Sequence, residues 1–215
     1  LPLYLGMTSQ NEKLVIDLAR MPHLLIGGAS GQGKTNLLNC IIGGLARLLP
    51  PEQLRFVLFD PKCVEFIQYA ALPHLALPVV TDGCKFVHVL RWLADELEKR
   101  LKEFTGAVCR NIETYREAGN QMPYIIVVID EIVDLMANCG KEVEPLITRL
   151  AALARAVGIH LVIATQVADH KVLSAIFRCN IPGRIAFRTR SRLESRMIIG
   201  VPDADALCAP GDMLV

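Results

Sequence analysis

Gly28-Ala29-Ser30-Gly31-Gln32-Gly33-Lys34-Thr35 decides the reading of this chain. The eight residues satisfy G-x-x-x-x-G-K-[ST] and stand between an apolar stretch, His23–Gly28, and a helical pattern over Lys34–Leu48 with Leu37, Leu38, Ile41, Ile42 and Leu45 on one face. A strand running through a glycine-rich turn into a helix is the context in which this pattern carries a mechanism. Backbone N–H groups of the turn wrap a β-phosphate, and the helix N-terminus adds its positive dipole end. Lys34 then reaches the β/γ oxygens and Thr35 offers its hydroxyl to Mg²⁺. The expected nucleotide-binding segment is Gly28, Ala29, Ser30, Gly31, Gln32, Gly33, Lys34, Thr35 and Asn36, with ATP and Mg²⁺ as cofactors.

Such a site needs an acidic residue at the end of another buried strand. Ile125-Ile126-Val127-Val128-Ile129-Asp130-Glu131 supplies two. Adjacent carboxylates beyond five β-branched residues are hard to explain as packing, because an unpaired buried charge costs several kcal/mol. Asp130 is the expected Mg²⁺ ligand, and Glu131 the group that orients and deprotonates the attacking water. The alternative for Glu131 is a cap on the helix that follows. His160–Gln166 reads as a strand inserted beside the phosphate loop, delivering Gln166 to the C-terminal edge of the sheet as a γ-phosphate sensor or as an ordinary polar strand end.

Further out, Leu3–Met7 and Lys13–Asp17 read as a β-hairpin, Leu54–Asp60 as a buried strand stopped by Pro61, and Asp212–Val215 as a last strand. Phe86–Phe104 is a helix with an apolar stripe and the pairs Asp95/Lys99, Glu96/Arg100 and Glu98/Lys102 on the opposite side. Val143–Val157 is a second long helix, and Gly106–Met122 a loop with some helix. Short unalternating apolar runs between helices are how the strands of a parallel sheet read. The expected class is α/β: a RecA-like P-loop NTPase with a mainly parallel central sheet, helices on both faces and a small N-terminal β-hairpin. With no linker or repeat in 215 residues, a single domain is expected.

Composition narrows the function. The 23 basic and 22 acidic residues exclude a uniformly basic nucleic-acid coat, so any such contact is local. Between His160 and Gly200 the charge is +5, against −4 elsewhere. A localised arginine cluster is the footprint of phosphate contact without base readout. Seven cysteines without a C-x-x-C pair argue against a disulfide framework and a zinc site, and point to a reducing, cytoplasmic compartment. No apolar run approaches the ~20 residues of a membrane span. The chain opens at Leu1 without a secretory signal, and the expectation is a fragment of a longer protein whose remainder carries any membrane anchor.

Several further stretches carry a resemblance. Met21-Pro22-His23-Leu24-Leu25, Phe59-Asp60-Pro61-Lys62, Pro73-His74-Leu75, Asp130-Glu131-Ile132-Val133-Asp134-Leu135-Met136, Ala154-Arg155-Ala156-Val157-Gly158-Ile159-His160 and Gly211-Asp212-Met213-Leu214, in this order, resemble the motor core of the FtsK/SpoIIIE family of double-stranded DNA translocases. The resemblance implies a homo-oligomeric, hexameric ring that moves duplex DNA through its pore and places ATP between subunits. It implies that Arg155 acts in trans as the finger on a neighbour's γ-phosphate; from position alone Arg155 is equally a solvated residue at a helix end. Arg178, Arg192 and Arg196 fall where the family's DNA contacts occur, whereas Arg188 and Arg190, alternating along a strand, read as an exposed face. The family's Arg-Pro-Ser after the glutamine is replaced by Val167-Ala168-Asp169. Related motors drive protein export and conjugative transfer, and this is the competing expectation.

Overall fold

The computed structural model describes residues 1–166 and 179–215. β1 (Pro2–Met7) and β2 (Lys13–Asp17) form the expected antiparallel hairpin, with a register shift between Tyr4 and Gly6. β1 lies against α1 (Lys34–Leu48) and buries Leu3 and Leu5. β3 (His23–Gly27), β4 (Leu54–Phe59), β5 (Tyr124–Ile129), β6 (Ile159–Thr165), β7 (Gly183–Phe187) and β8 (Met213–Leu214) make the main sheet. Its order among the described residues is β4-β5-β6-β3-β7-β8, parallel except for β8.

β3, β5 and β6 are buried along their whole length, as strands covered by helices on both faces must be. The inserted strand is β6, which pairs Gly27 with Thr165 on one side and Ile129 with Ile163 on the other. The glycine turn, the acidic couplet and Gln166 therefore leave the same C-terminal edge. This crevice, where neighbouring strands send their connections apart, is where open α/β sheets hold ligands.

The helices depart from the sequence reading in three places. α2 (Gly83–Gly106) begins before the apolar stripe because the Asp82 carboxylate caps it, accepting from the N–H groups of Cys84 and Lys85. α3 (Ile112–Glu117) is fixed by a capping box between Asn111 and Thr114 inside the segment expected to be mostly loop. α4 (Ile132–Leu153) joins what read as two helices and stops short of Val157. It breaks from helical geometry at Cys139, within two turns of Pro145, whose missing N–H leaves the Lys141 carbonyl without its helical donor.

One charge is misassigned by periodicity alone. Arg100, expected on the solvent side, is only 2% exposed. Its guanidinium donates to the carbonyls of Pro123 and Val157 and to Glu96, tying α2 to the segments that lead into β5 and β6. Among the described residues no helix is long and apolar enough to cross a membrane.

Candidate functional site

The turn between β3 and α1 holds its shape through glycine. Gly28 has φ +148 and a Cβ there would come within 2.8 Å of the Phe187 Cβ; Gly33, at φ +117, would bring one to 3.0 Å from the Phe187 ring. A side chain at either position meets both backbone strain and a neighbouring wall. The turn is pinned from two sides: the Ala29 N–H donates to the Arg188 carbonyl at 2.8 Å, and the Gly211 N–H donates to the Gln32 carbonyl at 2.9 Å. Lys34 is buried, and its ammonium donates to the carbonyls of Gly28 and Ala29 at 2.6 and 2.7 Å. Burial lowers its pKa to about 8, opposed by the negative charge of Glu131 and Asp130.

A cavity of about 540 Å³ opens along this turn. Ser30, Thr35 and Asn36 line it from the phosphate loop, and Asp130 and Gln166 from the ends of β5 and β6. With Gly31, Gly33 and Lys34, eight residues read as site components from sequence face one space. Leu5, Phe187 and Met213 add an apolar wall to it. Sequence reasoning missed these three, since no local pattern links the hairpin, β7 and β8 to the nucleotide loop.

Asp130 is raised to about 6, by burial first and then by the charges of Asp60 and Glu65. Excess negative charge beside a hydroxyl suits a hard divalent cation. Thr35 and Asp130, hydroxyl and carboxylate on one cavity, fit Mg²⁺ on that ground. Glu131 is also raised, again by burial, while the N–H groups of Val133 and Gln166 act in the opposite direction. Its carboxylate accepts from Val133 N–H at 3.3 Å, so the capping alternative is realised, and from Gln166 N–H at 3.1 Å.

Among the described residues, two cations beyond Lys34 act on this centre. Lys62 bears on Lys34, Asp130 and Glu131. It leaves a loop folded around the buried Asp60 carboxylate, which accepts from the N–H groups of Lys62, Glu65 and Phe66. Arg190 also bears on Lys34. Arg188 and Arg190 do not alternate along a strand: β7 ends at Phe187, and both lie in the connection beyond the C-terminal edge.

The remaining candidates stand elsewhere. Arg155 is exposed in the turn before β6, at the opposite edge of the sheet, where it lines a second cavity of about 850 Å³ with Arg20 and Arg110. Arg192 and Arg196 are exposed one turn apart on α5 (Arg192–Ile199), and Arg192 pairs with Asp205 at 3.6 Å. Arg178 and the Val167-Ala168-Asp169 substitution lie outside the described residues.

The FtsK/SpoIIIE family model matches residues 1–169. The DNA translocase FtsK of Haemophilus influenzae is 39% identical over 242 residues, covering 100% of this chain and 46% of that protein. The DNA translocase FtsK of Caulobacter vibrioides is 39% identical over 247 residues, covering 100% of this chain and 30% of that protein. The chain thus spans less than half the length of these curated relatives. Among solved structures, the cytoplasmic domain of the Thermomonospora curvata type VII secretion ATPase EccC superimposes with a TM-score of 0.89 at 29% identity, over 99% of this chain and 27% of that one. The pCW3 conjugation coupling protein TcpA, solved as a monomer with ATPγS, gives 0.85 at 29% identity, over 98% of this chain and 60% of that one. With its phosphate loop, acidic couplet and inserted β6 arranged on a P-loop ATPase fold, the chain belongs to the FtsK/SpoIIIE family.

Proposed function

We propose that this chain is the ATP-hydrolysing unit of a homo-hexameric ring that moves double-stranded DNA through its pore. The observation that carries the reading is the single cavity shared by Thr35, Asp130 and Gln166 beside the Lys34 loop. ATP binds with its phosphates on residues 28–36 and Lys34 against the β/γ oxygens. Thr35 and Asp130 hold Mg²⁺, which supplies charge neutralisation on the phosphate oxygens. Glu131 orients the attacking water and takes its proton; a carboxylate raised by burial is better matched to that task near neutral pH. Gln166, joined through its N–H to the same carboxylate, senses the γ-phosphate. Arg155, remote from its own chain's phosphate loop, serves the neighbour's site. Arg192 and Arg196, with Arg178, touch the DNA backbone, and the compartment is the cytoplasm.

The second reading is a motor for protein export or conjugative transfer, favoured by the likeness to EccC and TcpA at 29% identity. Identity of 39% to proteins named DNA translocase FtsK favours DNA. ATP hydrolysis measured with and without duplex DNA across a salt series separates the two. A pump gives stimulation that collapses as salt rises; turnover indifferent to DNA overturns the DNA reading.

A further inference from the structure

α2 and α4 pack side by side, and the exposed ion pairs Arg91–Glu142 and Glu98–Arg149 cross their seam. At the head of this ladder stand two cysteines 55 positions apart in sequence, with their sulfurs 3.6 Å apart. Cys84 is exposed in the first turn of α2, its N–H held by the capping Asp82 carboxylate. Cys139 is half-buried at the point where α4 leaves helical geometry, with φ −133 and ψ 18. Gly83 adds no side chain between the helices there: a Cβ on it would lie 3.9 Å from the Cys139 sulfur and 3.6 Å from the Leu135 side chain.

A disulfide needs about 2.05 Å between sulfurs, so closure asks for a further approach of roughly 1.5 Å, within reach of side-chain rotation. Helices packed side by side along this seam keep the thiols together rather than letting them drift apart. We propose that Cys84 and Cys139 are a redox-modifiable dithiol, closing to an intramolecular disulfide when the reduced protein meets a hydroperoxide. The Cys84 sulfur attacks the hydroperoxide O–O bond, giving a sulfenic acid and releasing an alcohol, or water where the oxidant is hydrogen peroxide. The Cys139 sulfur then attacks the sulfenyl sulfur; its proton leaves with the displaced hydroxyl as water. Two thiols are oxidised, one hydroperoxide is reduced, and both lost hydrogens are accounted for. The order follows exposure, and it accords with the Cys139 thiol being pushed up by its hydrogen bond with Cys84, by desolvation and by the Glu142 and Asp82 carboxylates.

The test is mild hydrogen peroxide treatment of the dilute, fully reduced chain, followed by alkylation, digestion and peptide mapping. The expected product is a linked pair of peptides containing Cys84 and Cys139, reversed by dithiothreitol, with titratable thiols falling from seven to five per chain. Cys139→Ser leaves a Cys84 sulfenic acid trapped by a cyclic dione, and Cys84→Ser abolishes the linked peptide. Recovery of both cysteines as alkylated thiols while others oxidise overturns the proposal. So does over-oxidation of Cys84 to sulfinic acid in the wild-type chain with Cys139 still alkylatable. Because mapping is done on the wild-type chain as well, the outcome does not depend on either variant folding.

Discussion

The main-chain N–H of Gln166 donates to the Glu131 carboxylate at 3.1 Å, tying the end of β6 to the end of β5. Glu131 also accepts from Val133 N–H at the start of α4. One side chain therefore joins the inserted strand to the acidic strand and opens the next helix. Any displacement of the Gln166 main chain therefore bears directly on the carboxylate proposed as base.

This dual engagement separates two substitutions at Glu131. Glu131→Gln keeps an acceptor oxygen for the N–H groups of Val133 and Gln166, so the fold and ATP binding are retained while hydrolysis drops by about 10²- to 10⁴-fold, the usual contribution of a general base. Glu131→Ala loses the cap as well and costs about 1 kcal/mol of stability. Single-turnover hydrolysis and urea midpoints on both variants check this. Turnover near wild type in Glu131→Gln rules out Glu131 as base.

What was legible in the sequence was whatever a local pattern encodes. The G-x-x-x-x-G-K-[ST] turn and Pro50-Pro51 delimit α1, found at Lys34–Leu48 as read. The five apolar residues before Asp130 set β5, and the polar Thr165-Gln166 end marked β6 as the strand beside the loop. Illegible were contacts between residues distant in the chain. Arg100 reads as a surface partner of Glu96 because helical spacing says nothing about the carbonyls of Pro123 and Val157 that receive it. Leu5 and Met213 become cavity walls only when the hairpin and β8 reach the same loop. Lys62 belongs to the Phe59-Asp60-Pro61-Lys62 stretch, but its reach to Lys34 and the acidic couplet depends on how the loop folds around Asp60.

The start of β3 and β6 carries a pH dependence. His23 Nδ1 accepts from Leu161 N–H, and His160 Nδ1 lies 2.8 Å from the Pro22 carbonyl, to which it donates. Burial lowers His23 to about 3 and His160 to about 4. Between those values and 6.5 the unfolded chain binds protons that the folded chain refuses, so this stability is complete above pH ~6.5 and is lost as pH falls. At pH ~5 the loss is roughly 2 kcal/mol per histidine. Asp130, raised to about 6, acts in the opposite sense over the same range, so the test is a difference. His23→Asn keeps an acceptor for Leu161 without a titrating ring, and its urea midpoint is expected to vary less than wild type between pH ~7 and ~5. Equal dependence in both chains counts against the histidine origin.

On α5 the two arginines are not equivalent. Arg196 is an exposed cation, whereas Arg192 is already opposed by Asp205 at 3.6 Å. If both meet DNA phosphates, Arg196→Ala reduces the slope of log affinity against log salt by about 1, and Arg192→Ala by less, because breaking its internal pair offsets part of the contact. Fluorescence anisotropy with duplexes of unrelated sequence at several salt concentrations measures both. A slope unchanged by Arg196→Ala removes α5 from the DNA path.

Arg155 leaves the turn before β6, at the edge of the sheet away from the phosphate loop, so it cannot serve the nucleotide of its own chain without crossing the sheet. A role in catalysis therefore requires a second subunit. Arg155→Ala alone is expected to lose about 10³-fold or more in turnover while binding ATP normally, since fingers act on transition-state charge. Lys34→Ala is expected to lose nucleotide binding. Mixing the two restores part of the activity, because some interfaces then combine an intact phosphate loop from one chain with an intact Arg155 from the other. Recovery that scales with the mixing ratio supports action in trans. Mixtures that stay at the sum of the separate variants, in preparations shown by sizing to co-assemble, leave Arg155 as a solvated charge beside Arg20 and Arg110.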